Sequence, residues 1–231
     1  MVHYLKLFGL ALLLTLGLHT APLHAASFDC TKATTETEIG ICADPELSAL
    51  DEEISEIYFS LNKDGRYYAD LVNSQRLWIK TERELEVWDF KHRVAFLKFG
   101  SHLSTCLKNT APQKNFSDCQ EQNQKIFDEC MELENYTTLV MNRCGAAYVN
   151  VLYLAESHET TLWRERNSSD NETLVLFNKS YELWKPYVES DCDWQWSSFR
   201  EGTISGQIYK GCLMGHLEPR IAKLHRSNSN F

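Results

Sequence analysis

The residues of this chain most able to do chemistry are its eight cysteines: Cys30, Cys42, Cys106, Cys119, Cys130, Cys144, Cys192 and Cys212. An even count in an exported protein favours disulfides, whereas a cytosolic enzyme would use the same residues for metal or catalysis. There is no Cys-x-x-Cys pair and no closely paired histidines, so the spacing of a zinc site is missing and no metal is expected. Many pairings of eight cysteines are open, and the residues alone do not choose among them. Other catalytic patterns are equally thin. His158-Glu159 lacks the second histidine of a zinc-protease helix. Gly202-Thr203-Ile204-Ser205-Gly206 carries its serine in fourth place, which is not a hydrolase nucleophile elbow. No phosphate-cradling glycine loop is present, and the many Asp and Glu read mostly as solvated helix faces. An enzyme would have to use a free thiol or a cleft carboxylate. The pattern points instead to a non-enzyme without cofactor.

The elements that carry these residues read as helices. Thr35 and Glu38 stand at capping-box spacing. At Asp44-Pro45 the helix stops and restarts, since aspartate caps orphan amides and proline suits a first turn. Leu47, Leu50, Ile54, Ile57, Tyr58 and Leu61 then recur at three- and four-residue steps, an apolar stripe with Glu46, Glu52, Glu53 and Glu56 mostly on other faces. After a turn-like stretch from Asn62 to Arg66, Leu71, Trp78, Leu85, His92 and Phe99 recur every seventh residue, which predicts one long helix. A second unit follows. Cys144, Tyr148, Val151, Ala155, His158 and Leu162 share a face, and Ser169-Asp170 caps a helix through Leu174, Phe177, Tyr181, Trp184 and Val188. Pro186 should kink or split that helix. Beyond the Gly202–Gly206 loop, Tyr209, Leu213, His216, Leu217, Ile221 and Leu224 form a third stripe. Short connections make this an antiparallel bundle.

The start of the chain belongs to targeting. Met1 to Ala25 carries one charge, Lys6, then an apolar run from Leu7 to Leu18, and ends in small residues. This is the layout of a secretory signal peptide, and the run is well short of the ~20 residues that span a bilayer. Cleavage after Ala25 is expected, with a periplasmic or secreted product and no stable membrane insertion. The chain has 231 residues, 43% hydrophobic, enough to bury one or two cores. Its net charge of −9 argues against nucleic acid or an anionic membrane as partner. Removing the leader takes away one lysine and no acid, leaving −10 on the mature chain.

Phe28-Asp29-Cys30, Ile41-Cys42-Ala43-Asp44-Pro45-Glu46-Leu47, Leu50-Asp51, Tyr58 and Gln75-Arg76-Leu77-Trp78 together resemble the LprI-type lysozyme-inhibitor N-terminal domain family. The family places an arginine four residues after the tryptophan, where this chain has Glu82 and then Arg83. The later segment is similar to a diverged second copy, with Cys130, Cys144, Trp184, Cys192, Gly202-Thr203, Cys212, Arg220 and Leu224. Cys30/Cys130, Cys42/Cys144, Trp78/Trp184 and Cys106/Cys212 keep a nearly constant offset. The fold class is therefore all-α, a disulfide-stabilised antiparallel helical bundle of two tandem related units. The division is 1–25 leader, 26–110 first unit, 111–125 linker and 126–231 second unit. The resemblance implies neighbouring cysteines paired within a unit: Cys30–Cys42, Cys106–Cys119, Cys130–Cys144 and Cys192–Cys212. Each link contributes on the order of 3 kcal/mol in the chain-entropy account.

The resemblance and the charge together imply a protein-binding module, with a lysozyme (muramidase) inhibitor acting by occlusion as its most concrete form. Acidic surfaces steer cationic partners such as a lysozyme or a secreted toxin. An immunity protein sequestering such a toxin and a structural envelope protein are the alternatives. Asp191, Asp193, Trp194 and Trp196 flank Cys192 and form the candidate partner-binding segment, since tryptophan on a rigid frame is a typical interface anchor. The competing role for those rings is to fill the bundle core. Intact-mass measurement of the exported protein is expected to give a chain starting at Ala26, with eight hydrogens fewer than its reduced form. A retained leader with fully reduced sulfurs would refute the exported, crosslinked reading.

Overall fold

The computed structural model describes residues 26–62, 69–81, 83, 85–109, 117–132 and 136–229. The leader 1–25, most of the turn after Asn62 and residues 110–116 of the joint lie outside the described residues. Among the described residues, a 3-10 turn at Cys30–Lys32 precedes eight helices: α1 (Glu36–Ala43), α2 (Pro45–Asn62), α3 (Ala69–Thr81), α4 (Val87–Asn109), α5 (Ser117–Glu132), α6 (Thr138–Arg166), α7 (Asn171–Ser197) and α8 (Ser205–Ser229). The described residues contain no strand, and none of their helices is long and apolar enough to cross a membrane.

Local chemistry sets the first boundaries. The Thr35 hydroxyl accepts from the Glu38 amide at 3.1 Å while the Glu38 carboxylate accepts from the Thr35 amide at 3.0 Å, closing the capping box. The amide bonds hold the Glu38 carboxyl below its ordinary range. Asp44 Oδ1 accepts from the Glu46 and Leu47 amides, so α2 restarts at Pro45 with its orphan donors satisfied. Leu47, Ile54 and Leu61 are buried on the helix that packs against α4.

The heptad through Leu71, Trp78, Leu85, His92 and Phe99 does not make one helix. The chain forms α3 and α4 with a break between them. The Arg83 amide donates to the Trp78 carbonyl at 2.9 Å, a widened closing turn that ends α3. Leu85 then leaves the stripe and packs against Gly40 of α1, whose added Cβ would meet Leu85 Cδ1 at 2.5 Å. The period survives because a loop leucine fills a different gap. Pro186 also departs from expectation: α7 runs unbroken from Asn171 to Ser197. Pro186 and Glu182 are both exposed, so the carbonyl that loses its helical donor has water available.

The two segments share one core. A single apolar cluster runs from Ile41 to Ile221, and α4 packs on α2, α5 and α6, while α6 packs on α4, α5 and α8. Phe99 of α4 meets Tyr148 of α6 with ring centroids 4.9 Å apart. His92 Nε2 donates to the Arg143 carbonyl at 3.0 Å, and the Arg143 guanidinium lies 4.8 Å over the Trp88 ring. Burial depresses the His92 pKa below its ordinary 6.5, so the imidazole joins the contact in its neutral form. Residues 117–125 of the stretch read as a linker are the first part of α5.

Three of the implied disulfides are present: Cys30–Cys42, Cys130–Cys144 and Cys192–Cys212. Cys106 is disulfide-bonded, and the side chain of Cys119 lies outside the described residues. No described cysteine is free. Cys106 sits near the end of α4 whereas Cys212 sits near the start of α8, so this pair of landmarks occupies different places in the two segments.

Gly100 of α4 faces the side chain of Leu71 on α3. A Cβ there would stand 2.7 Å from Leu71 Cδ1, and Leu71 is buried, so its methyls have no room to retreat. Gly100→Ala is expected to destabilise the protein by about 1–3 kcal/mol, measured by urea unfolding, despite alanine's better helix propensity.

Candidate functional site: the outer face of the seventh helix

Helix α7 begins at a strong cap. Asp170 Oδ1 accepts from the Thr173 amide at 3.0 Å and Oδ2 from the Thr173 hydroxyl at 2.7 Å, which holds its carboxyl below the usual range. One face of the helix then meets the bundle. Phe177 stacks on Trp163 of α6 at 3.9 Å, and Val188 and Cys192 are buried. From α8, Arg220 lies 4.4 Å over the Trp184 ring and 5.3 Å over Tyr181. Its Nε donates to Glu156 Oε1 at 3.0 Å. Glu156 also accepts from the Thr160 hydroxyl at 2.8 Å. A neighbouring acid on α6, Glu159, accepts from Asn228 at 2.6 Å and meets His225 Nδ1 at 3.1 Å. Both glutamates are buried, unlike the solvated acids the composition suggests. Each is matched by donors from α8, which makes them supports of the fold.

A comparable arrangement occupies the first segment. Arg93 of α4 lies 4.4 Å over Phe96 and 5.7 Å over Trp78, with Nε donating to Gln75 Oε1 at 2.5 Å. Arg83, one position later than the family's arginine, reaches Asp51 Oδ1 at 3.7 Å.

A neighbouring face of α7 is largely exposed among the described residues. Leu176, Leu183, Tyr187 and Trp194 are 62%, 66%, 58% and 70% exposed, and steps of seven, four and seven set them along one side of the helix. They precede by one residue the inward-facing Phe177, Trp184 and Val188. Of the segment expected to bind a partner, Trp194 lies on this face. Trp196, 37% exposed, is two positions on and points to another side. Neither ring fills the core. Asp191 is half-buried, accepting from His216 Nε2 at 2.8 Å and from Gln195 Nε2 at 3.1 Å, and the Tyr187 ring stands edge-on to the same imidazole at 5.6 Å. Asp191 therefore positions Tyr187 and is not itself presented. Asp193 is exposed and lies with Glu189 near Tyr209, whose phenol is raised by burial and then by these two carboxylates.

The face thus offers a row of large apolar side chains beside acids, and this row contains no nucleophile. Asp191, Cys192, Cys212 and His216 hold ligand-type atoms within 4.8 Å of one another, but the two sulfurs are joined to each other and supply no thiolate. Leu176, Leu183 and Tyr187 escape a reading of single stripes, because a second apolar row one residue out of phase looks like broadening of the first.

This is the architecture of a disulfide-stapled, all-helical bundle. Residues 30–125 match the family described as Lysozyme inhibitor LprI, the resemblance that the cysteine, cap and Gln-x-x-Trp pattern of the first segment carries. The match runs from the 3-10 turn into α5. No curated protein and no solved structure matches the chain.

Removing the Arg220 guanidinium would leave Glu156 buried without its cation. Arg220→Ala is expected to cost on the order of 3 kcal/mol in unfolding free energy, with Arg220→Lys recovering only part because it cannot stack as a plane on Trp184.

Proposed function

We propose that the protein is an exported, non-catalytic inhibitor that occupies the cleft of a lysozyme-type muramidase. The match of residues 30–125 to a lysozyme-inhibitor family carries this reading. The −10 charge of the mature chain supports it, since a cationic enzyme is drawn to an acidic surface faster than to a neutral one. The leader-like start and the disulfides support a periplasmic or secreted location. The second segment is taken as a diverged copy of the first, on the strength of its shared cysteine order and the recurrence of a tryptophan beneath an arginine of the final helix. Its α7 provides the contact face, with Leu183, Tyr187 and Trp194 as anchors and Glu189 and Asp193 as an acidic rim.

Cell-wall lysis by lysozymes of several types, followed with increasing mature protein, tests this. Saturable inhibition that weakens with salt is expected. Leu183→Asp and Trp194→Asp should each lower affinity roughly tenfold or more without changing stability, because both side chains are already in water. Undiminished lysis by every type at large excess would refute the proposal.

A further inference from the structure

We propose that reduction of the Cys192–Cys212 bond turns this link between α7 and α8 into a zinc site whose ligands are Asp191, Cys192, Cys212 and His216. The four side chains come from two short stretches. Asp191 and Cys192 are consecutive on α7, while Cys212 and His216 stand four residues apart on α8, which sets them one turn apart on one face. Their ligand atoms all lie within 4.8 Å of one another, and this is the one such group of His, Cys, Asp and Glu among the described residues. The Cys30–Cys42 and Cys130–Cys144 bonds belong to no such group. While Cys192 and Cys212 are bonded, the site offers a metal only the carboxylate and the imidazole. That is two ligands short of what a structural zinc takes.

The geometry suits zinc once the thiols are released. Donors around a tetrahedral zinc stand about 3.3–3.8 Å apart. Cys212 Sγ is 3.7 Å from Asp191 Oδ2, within that range, and the 2.8 Å between His216 Nε2 and Asp191 Oδ2 would have to open by ~0.5 Å. Two thiolates, an imidazole and a carboxylate match a borderline-soft ion and mismatch calcium or magnesium, which take oxygen. Neighbours already orient the ligands. Gln195 Nε2 donates to Asp191 Oδ2 at 3.1 Å, and the Tyr187 ring stands edge-on to the His216 imidazole at 5.6 Å; outer contacts of this kind hold a metal's ligands in place. A dithiol reductant supplies the electrons. Its two thiols pass two electrons and two protons to the Cys192–Cys212 bond, which breaks into two thiols while the reductant closes its own disulfide. Zinc then displaces both thiol protons to solvent and forms two Zn–S bonds. The ion takes over the lost bond's work of tying α7 to α8, whether or not the protein inhibits a lysozyme.

In the test, the mature protein is reduced with a water-soluble phosphine, freed of it under inert gas and titrated with cobalt(II) or zinc. Cobalt is expected to saturate with the strong visible bands of a tetrahedral ion and a near-ultraviolet thiolate charge-transfer band, and the oxidised protein is expected to show neither. Zinc should protect Cys192 and Cys212 from iodoacetamide, read by mass spectrometry, and leave the other six cysteines open. His216→Gln and Asp191→Asn keep the disulfide, so each is purified folded in its oxidised form before reduction. Each should weaken cobalt binding by roughly tenfold or more. No tetrahedral spectrum, protection that spares this pair, or parental binding by either variant would overturn the site. So would a reduced protein whose helical circular dichroism is lost and not restored by zinc.

Discussion

Helix α7 depends on very little. Across 27 residues it buries only Val188 and Cys192, and its main packing partner is α8. Phe177, Tyr181 and Trp184 add half-buried rings on the same side. The Cys192–Cys212 bond ties it to α8, and Arg220 clamps it a second time by lying over Trp184 while reaching Glu156 on α6. A helix fixed by a covalent link and a cation on a ring does not have to bury its remaining surface. That is why Leu176, Leu183, Tyr187 and Trp194 can stand in solvent on a rigid support.

The same economy of contacts explains how two segments become one body. The core is continuous through α4 and α6, which meet by Phe99 against Tyr148 and by His92 against the Arg143 carbonyl. Tyr148 belongs at once to that contact and to the Asn123–Tyr148–Glu218 hydrogen-bond chain, which joins α5, α6 and α8.

The helices were legible because their signals are local. The Thr35–Glu38 box, the Asp44 and Asp170 caps and the three- and four-residue stripes each act within a turn or two, and each is found where the pattern predicts. Three of the four cysteine pairs implied by the family resemblance are the disulfides found. What the sequence hid was decided between elements. The Leu71-to-Phe99 period spans a break because Leu85 turns to Gly40, a contact with α1 that no periodicity encodes. Asp191 looked presentable beside two tryptophans, yet His216, 25 residues away, claims it. Glu156 and Glu159 resemble any surface acids until α8 delivers Arg220, His225 and Asn228.

Charge shows how these contacts shape the exterior. Arg93, Arg143, Arg164 and Arg220 all lie over aromatic rings, Arg83 faces Asp51, and Lys91 and Lys98 pair with Glu46 and Glu53 at 2.7 Å. These seven cations are thus tied to rings or to acids of the chain itself. Planar guanidinium groups suit this role because they stack and hydrogen-bond at once. Acids outnumber bases in the sequence already, and the bases so engaged present little cationic surface to a partner. On α7 the acids Glu189 and Asp193 are exposed, as are Lys179 and Lys185. On the inhibitor reading proposed above, attraction at long range and anchoring at contact would come from different groups on one helix.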